Sequence, residues 1–218
     1  MNYKHFSDIY TNEKEFQREK LQFLFDKSFR DKDETLLRNQ YITLRQLEFL
    51  DDLTFEPECV ELSSLAESVT VACDILSCES GVNFIYFDDS PCFVNGDSRL
   101  ITKALLNLLS NAYLYGKENL ITVKTITSGN CCGIEVVSGG TFSENHKTGN
   151  GLSFVRKICN KMNGNFFIEQ TISHTKSIML FPKDDSYKCK FQENDDILSL
   201  VYNRLSPVCI EMFGMEYH

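Results

Sequence analysis

The sequence predicts an α+β protein in which an N-terminal two-helix hairpin precedes a mixed β-sheet with helices on one face. Two observations lead to this fold class. Apolar residues recur every three or four positions through much of the first 55 residues, as in amphipathic helices. From residue 56 to residue 182, short runs typical of strands alternate with helical segments. We therefore divide the chain into a helical hairpin (1–55), a helix-and-sheet sandwich (56–182) and a C-terminal extension (183–218).

The hairpin is predicted from two apolar stripes separated by a polar turn at residues 31–33. The stripes are Phe6, Ile9, Phe16, Phe23 and Leu24 in the first helix, and Leu37, Tyr41, Leu44, Leu47 and Leu50 in the second. An isolated hairpin has little surface against which to bury such stripes. A four-helix bundle formed by two chains is therefore expected, and the alternative is packing of the hairpin on the rest of its own chain.

The sandwich is predicted from one capped helix and five strands. Ser64 and Glu67 form a capping-box pattern ahead of a helix with an apolar stripe. Strands are predicted at 82–87, 120–127, 134–137, 165–171 and 177–181, with two further helices between them. The expected core residues of the last two strands are Phe166, Phe167, Ile178, Leu180 and Phe181.

The C-terminal extension opens with a charged linker and then offers one short helix. The apolar positions of this helix are Ile197, Leu198, Val201 and Leu205. Asn194 is the predicted N-cap, and Pro207 is expected to interrupt the helix. Its apolar face predicts docking on the body of the protein or on a partner.

Composition and charge narrow the function classes. A formal charge of −9 and the absence of a basic stripe with interleaved aromatics argue against a nucleic-acid partner. The nine cysteines include no pair or cluster at metal-ligand spacing, so buried reduced thiols in a cytoplasmic protein are expected. The sequence has no apolar run of membrane-spanning length, and its first residues are too polar for a signal peptide.

The segment most suggestive of function is Asn107-Leu-Leu-Ser-Asn-Ala-Tyr-Leu-Tyr115. Apolar residues at helical spacing predict a buried face, and Asn107 and Asn111 lie one turn apart at the edge of that face. The carboxamide oxygen of Asn111 can bind a hydrated cation. The alternative is that both are structural amides that satisfy backbone groups.

A second segment, Gly149-Asn-Gly-Leu152, begins another predicted helix. Gly149 and Gly151 allow the backbone to approach a ligand without interference from a Cβ atom. The N-terminus of the helix that they open is suited to a phosphate group. The alternative is an ordinary turn before a helix.

Taken in order, these segments resemble the ATP-binding domain of sensor histidine kinases and of its relatives among gyrases, mismatch-repair ATPases and heat-shock chaperones. The resemblance runs from about Leu36 to Phe181. Besides the two segments above, it rests on a helix that ends at Leu50-Asp-Asp-Leu53 before an extended segment, Glu56–Leu62, and on Val94-Asn-Gly-Asp97 with Arg99, Ile134–Ser138 with Gly139-Gly140, and Asn163-Gly164. It implies a protein of two-component signalling that binds ATP with Mg²⁺.

The resemblance also implies a set of binding residues. In the resemblance, Asn111 takes the magnesium position, and Asn107 takes the position that helps to orient water or phosphate. The implied ATP-binding residues are Asn107, Asn111, Tyr115, Ser138, Gly140, Lys147, Gly149, Gly151 and Leu152. The implied partners are a second copy of the chain, which dimerises through the hairpin, and a response regulator or partner kinase.

Three departures from the family pattern bear on activity. The family carries an Asp, which accepts a hydrogen bond from the adenine amino group, where this chain has Ser138. Phe142 replaces a family glycine. Only eight residues, 141–148, separate Gly140 from Gly149, where the family usually has a longer lid over the triphosphate. Slow turnover or weak binding should follow.

Three functional hypotheses remain open at this stage. The first is a histidine-kinase-like ATP-binding protein that, if it is an enzyme, transfers phosphate from ATP to a histidine. The second is a degenerate binding module that engages a regulator or kinase without using ATP. The third is a histidine phosphotransferase, and it depends on His5, the only histidine in the hairpin. His5 lacks the following acidic residue of the family's phosphoacceptor, so the alternative is an exposed terminal histidine.

Overall fold

The structure, a computed structural model, describes residues 55–87, 91–140, 151–184, 197–203 and 206–215. These residues belong to one compact unit of the chain, Asp52–Met215. The predicted hairpin with His5 lies outside the described residues, and so do Lys147, Gly149 and the predicted cap Asn194. Within the described part of the chain, no helix is both long enough and apolar enough to cross a membrane.

The strands confirm the predicted sheet. In chain order they are β1 (Glu58–Glu61), β2 (Asn83–Phe87), β3 (Phe93–Gly96), β4 (Leu120–Ser128), β5 (Cys131–Gly139), β6 (Asn165–Gln170) and β7 (His174–Pro182). Five of them form a mixed sheet in the order β2-β4-β5-β7-β6. Strand β2 is parallel to β4, and the other neighbours are antiparallel. Strands β5 and β7 extend beyond both of their predicted ends.

Strand β1, which lies within the segment Glu56–Leu62 that was expected to be extended, and β3, which was not predicted, form a separate antiparallel pair. Val60 lies opposite Val94, and both side chains are buried. A bridge from Val94 to Lys183 connects this pair to the segment that follows β7. Each strand has only four residues, so the apolar alternation is too short to be recognised without its partner.

Helices cover one face of the five-stranded sheet. The helices are α1 (Leu62–Leu76), α2 (Ser98–Tyr115), α3 (Gly151–Lys161), α4 (Ile197–Tyr202) and α5 (Pro207–Met215). Helix α1 contacts β2 and β4, α2 contacts β4 and β5, and α3 contacts β6 and β7. Alternate residues of the strands point into this layer and form the core, among them Ile121, Val123, Ile134, Val136, Met179 and Phe181. The predicted mixed sheet with helices on one face is confirmed.

The same alternation corrects three predicted core residues. Phe166 and Phe181 are buried, but the side chain of Phe167 is 47% exposed on the opposite face of the sheet, and Ile178 and Leu180, which are only partly buried, lie on that face too. Successive side chains of a strand point to opposite faces, so two adjacent residues of β6 cannot both enter one core. Because Phe166 and Phe167 are both aromatic and adjacent, the sequence did not show that they lie on opposite faces.

Helix α1 starts two residues before its predicted capping box. The Glu61 carboxylate accepts hydrogen bonds from the backbone N–H groups of Ser63, at 3.1 Å, and Ser64, at 2.9 Å. Glu61 is therefore the N-cap, and the predicted start at Ser64 is wrong. An acceptor just before the helix satisfies the first N–H groups, so Ser64 is left inside the first turn.

The C-terminal helices pack on the helical layer rather than on the sheet. Helix α4 contacts α1, and α5 contacts both α1 and α2. Pro207 does not merely interrupt a helix, as predicted, but is the first residue of α5. Proline is tolerated there because the first N–H of a helix has no intrahelical partner. The Ser206 hydroxyl accepts a hydrogen bond from the Cys209 N–H at 3.1 Å and so caps this helix.

The cysteines differ from the expectation that all thiols are reduced. Cys92 and Cys132 form a disulfide across a sequence separation of 40 residues, and Cys59 is also disulfide-bonded. Cys73 and Cys159 are free and buried, as expected. Burial raises the pKa of the Cys159 thiol to about 12, and burial, together with nearby Glu211, also raises the pKa of the Cys73 thiol. These two thiols are therefore protonated at neutral pH.

Candidate functional site

The two asparagines of α2 are the first component of the site. Asn107 is 6% exposed, and its Nδ2 donates a hydrogen bond to the Lys103 carbonyl at 3.0 Å. Asn111 lies one turn later and is half-buried. Among the described residues, neither the Asn107 Oδ1 nor the Asn111 carboxamide has a hydrogen-bond partner. These amide groups remain available to a ligand or to water.

The first residue of α3 lies directly against this pair. A Cβ atom built at Gly151 would be 2.7 Å from the Asn107 Oδ1 and 3.9 Å from the Asn111 Nδ2. Only glycine permits this approach without displacing the Asn107 carboxamide. The positive end of the α3 dipole therefore meets two amide side chains, an arrangement that favours an anion such as phosphate.

The second component of the site lies where β5 ends beside β7. Ser138 of β5 is directly opposite Thr175 of β7, and both side chains are buried. The Thr175 hydroxyl donates to the Gly140 carbonyl at 3.0 Å, and the Gly140 N–H donates to the Ser173 carbonyl at 2.7 Å. Gly140 has a φ of +88°, a conformation that glycine adopts readily. These contacts hold the chain as it leaves the sheet.

Helix α2 joins the two components. Its last turn is beside Ser138, because a Cβ atom at Gly116 would be 3.6 Å from the Ser138 Cβ. The backbone N–H of Lys117 donates to the Gly139 carbonyl at 2.9 Å. The helical rise from residue 107 to residue 116 is about 13 Å, which is comparable with the length of an extended nucleoside triphosphate.

The predicted residues therefore form two groups beside α2. Asn107 and Asn111 of α2 lie together with Gly151 of α3, and Ser138 and Gly140 lie together near the C-terminus of α2. Leu152 follows Gly151 in α3, and Tyr115 is 39% exposed at the end of α2. Lys147, Gly149 and His5 lie outside the described residues, so their places in the site stay predictions.

Sequence reasoning missed two buried hydroxyl side chains on β7, Thr175 and Ser177. Both are on the strand face that carries Met179 and Phe181. Extending the alternation of these core residues backward through the sequence would have placed Ser177 and Thr175 on the same inner face. The predicted strand began at Ser177, so the polar end of the face was overlooked.

The described residues contain no cluster of three or more His, Cys, Asp or Glu side chains that suits a metal ion. A Mg²⁺ ion usually keeps several waters and needs few protein ligands. The unpaired Asn111 carboxamide fits such a limited role. Additional ligands would have to come from a bound phosphate chain.

Comparisons with known proteins identify the fold. No family model and no curated protein matches the sequence. The catalytic domain of histidine kinase ThkA, solved in a nucleotide-free form, is 24% identical with a TM-score of 0.53, and the match covers 59% of this chain and 96% of that domain.

Two longer kinase structures match as well. ThkA in complex with the response regulator protein TrrA is 23% identical with a TM-score of 0.56, and the match covers 71% of this chain and 50% of the ThkA chain. Full-length ShkA in complex with AMPPNP is 16% identical with a TM-score of 0.58, and the match covers 71% of this chain and 38% of ShkA. The chain thus contains the fold of the catalytic domains of sensor histidine kinases, as its sequence motifs predicted.

Proposed function

We propose that the protein is a histidine-kinase-like ATP-binding protein of two-component signal transduction. The observation that carries the proposal is the convergence of Asn107, Asn111 and the start of α3 at Gly151. Structural neighbours support it, because full-length ShkA was solved with AMPPNP and ThkA was solved with a response regulator. The proposal includes a cytoplasmic homodimer joined by the N-terminal hairpin, with a response regulator or partner kinase as its target.

Each group of residues has a distinct task in the proposed complex. The Asn111 carboxamide oxygen binds Mg²⁺, which would neutralise charge on the phosphate oxygens. Asn107 orients a phosphate group or a water, and the α3 N-terminus stabilises negative charge with its dipole. Ser138 and the chain at Gly140 surround the base. Lys147 and Gly149, which lie outside the described residues, are kept in the proposal as phosphate-binding residues.

The test is calorimetric titration of the full chain with ATP and Mg²⁺. The wild type should bind with a micromolar to sub-millimolar Kd, and Asn111→Ala should weaken binding at least about tenfold, equivalent to about 1.4 kcal/mol. Asn165→Ala is the matched control. Asn165 is an exposed residue of β6, and it lies at the end of the β6–β7 pair that is opposite to Thr175. Repeating the titration without Mg²⁺ should reduce the difference between wild type and Asn111→Ala.

A non-catalytic binding module is the second candidate function. It is favoured by Ser138, a neutral residue where the resemblance implies a carboxylate. The absence of any heat with millimolar ATP would reject nucleotide binding and leave this candidate. If ATP binds, transfer of labelled γ-phosphate to wild type but not to His5→Ala would assign the phosphoacceptor. Labelling that persists in His5→Ala would exclude His5 from that role.

A further inference from the structure

Two buried hydroxyl groups at the Ser138 end of the site have no hydrogen-bond partner among the described residues. Ser138 is 4% exposed, and Ser177 is 7% exposed. A buried polar group without a partner destabilises the folded chain, and native structures contain few of them. An alanine at either position would not destabilise the folded chain in this way. The unsatisfied pair therefore indicates a place where a ligand or an ordered water completes the hydrogen bonding.

The register of the sheet places both hydroxyls on the same side. Ser138 pairs with Thr175, and Ser177 pairs with Val136, so all four residues alternate on the face covered by helices. The Thr175 hydroxyl already donates its proton to the Gly140 carbonyl. The Ser138 and Ser177 hydroxyls make no such hydrogen bond, so each can donate one hydrogen bond or accept one.

The buried polar surface of this sheet carries no carboxylate. Its buried polar residues, within the described part of the chain, are Thr125, Ser138, Thr175 and Ser177. The acidic side chain of Glu118 packs against Gly139, and a Cβ atom at Gly139 would be 2.4 Å from the Glu118 Cδ. Gly139 follows Ser138 in the strand and faces the opposite side of the sheet. Glu118 is therefore separated from the Ser138 hydroxyl by the strand itself.

This difference in chemistry bears on which base the site accepts. An ionised carboxylate only accepts hydrogen bonds, so it favours a base with an amino group and repels one with a carbonyl oxygen at the same position. A serine hydroxyl accepts from an amino group and, after rotation, donates to a carbonyl oxygen. We infer that Ser138 makes the site accept 6-keto purine nucleotides such as GTP alongside ATP, an inference that rests on the proposed nucleotide-binding function.

The experiment compares ATP, GTP and ITP by calorimetry with Mg²⁺ on the full chain. The wild type should bind ATP and GTP with Kd values within about tenfold of each other. ITP lacks the 2-amino group of GTP, so similar binding of ITP and GTP would assign the recognition to the 6-keto group. Ser138→Asp should weaken GTP and ITP relative to ATP by at least about tenfold.

The controls separate the failure of this inference from the failure of the proposed function. Ser128→Asp introduces the same charge at an exposed residue of β4 and should behave as the wild type. A wild-type preference for ATP of more than about tenfold overturns the inference but leaves nucleotide binding intact. Absence of binding to all three nucleotides overturns both.

A further variant covers the case in which Ser138→Asp does not fold. Ser138→Ala keeps the site neutral and removes only the hydroxyl, so it should weaken ATP and GTP by similar factors. Unchanged affinity of Ser138→Ala for both nucleotides would exclude Ser138 from base recognition. Circular dichroism of each variant before titration reports whether it is folded.

Discussion

Gly151 and Asn107 restrict each other because the first residue of α3 rests on the Asn107 carboxamide. A methyl group at Gly151 would lie 2.7 Å from the Asn107 Oδ1, closer than normal contact. The carboxamide has limited freedom to move, because its Nδ2 is bonded to the Lys103 carbonyl. Two residues that sequence patterns treat separately are thus one structural unit.

We predict that Gly151→Ala lowers the free energy of unfolding by about 1–3 kcal/mol, since overpacking forces the Asn107 side chain out of its position. In an Asn107→Ala background the obstructing carboxamide is absent, so the same change should have little effect. Urea denaturation of the four proteins in this double-mutant cycle measures the coupling. Equal effects of Gly151→Ala in both backgrounds would contradict the contact.

At the scale of the element, the N-terminus of α2 is a junction between the site helix and the segment that precedes β1. Asp97 caps α2 through the Leu100 N–H, and it also accepts hydrogen bonds from the Glu56 N–H and the Arg99 guanidinium. Burial alone would raise the pKa of Asp97, but these hydrogen bonds outweigh it and the pKa lies below its ordinary value. The neighbouring Ser98 is bound to the Glu58 carboxylate through its N–H and its hydroxyl.

We predict that Asp97→Asn lowers the free energy of unfolding by about 1–3 kcal/mol at pH 7, because an amide cannot accept all three bonds and its NH₂ opposes the donors. The folded-state pKa is depressed, so the stabilisation is complete above the unfolded pKa of about 3.9 and is lost as pH falls through the folded value. The difference between variant and wild type should therefore shrink below about pH 4.

Denaturant unfolding at pH 7, 5 and 3 tests this prediction. Glu67→Gln, at an exposed position of α1, is the control for loss of one negative charge. A difference between Asp97→Asn and wild type that persists unchanged at pH 3 would show that the charge of Asp97 is not the stabilising feature. The capping geometry alone would then account for the effect.

At the scale of the whole molecule, the C-terminal helices form a layer over α1 and α2. Their buried apolar residues are Leu200, Val208, Cys209, Ile210 and Met212. This layer packs on α1 and α2, so it contributes to stability. The helix that carries Asn107 and Asn111 thus contacts both α5 and the sheet.

We predict that Leu200→Ala lowers the free energy of unfolding by about 2–4 kcal/mol, because it leaves a cavity between α4 and α1. Leu198→Ala changes the same residue type in the same helix, but the Leu198 side chain is 58% exposed, so it should alter stability by less than about 0.5 kcal/mol. Urea denaturation measures both. Equal losses for the two variants would contradict the packing of α4.

Local patterns in the sequence were sufficient for the elements whose periodicity extends over many residues. The apolar spacing of α2 and the alternation of β4 predicted helix and strand correctly, because long amphipathic patterns admit one orientation toward a core. The same patterns placed Asn107 and Asn111 one turn apart and Gly151 at a helix start. These features depend on neighbours a few positions away, and residue order alone determined them.

Only the tertiary structure decided the features that join distant parts of the chain. Thr175 and Ser177 entered the site because the register of β7 against β5 places them beside Ser138. Cys92 and Cys132 form a disulfide because the fold brings their Cα atoms to 6.3 Å. Strand β1 pairs with β3, although more than 30 residues separate the paired positions. Pairing between distant segments depends on the packing of the whole chain, and no local pattern encodes it.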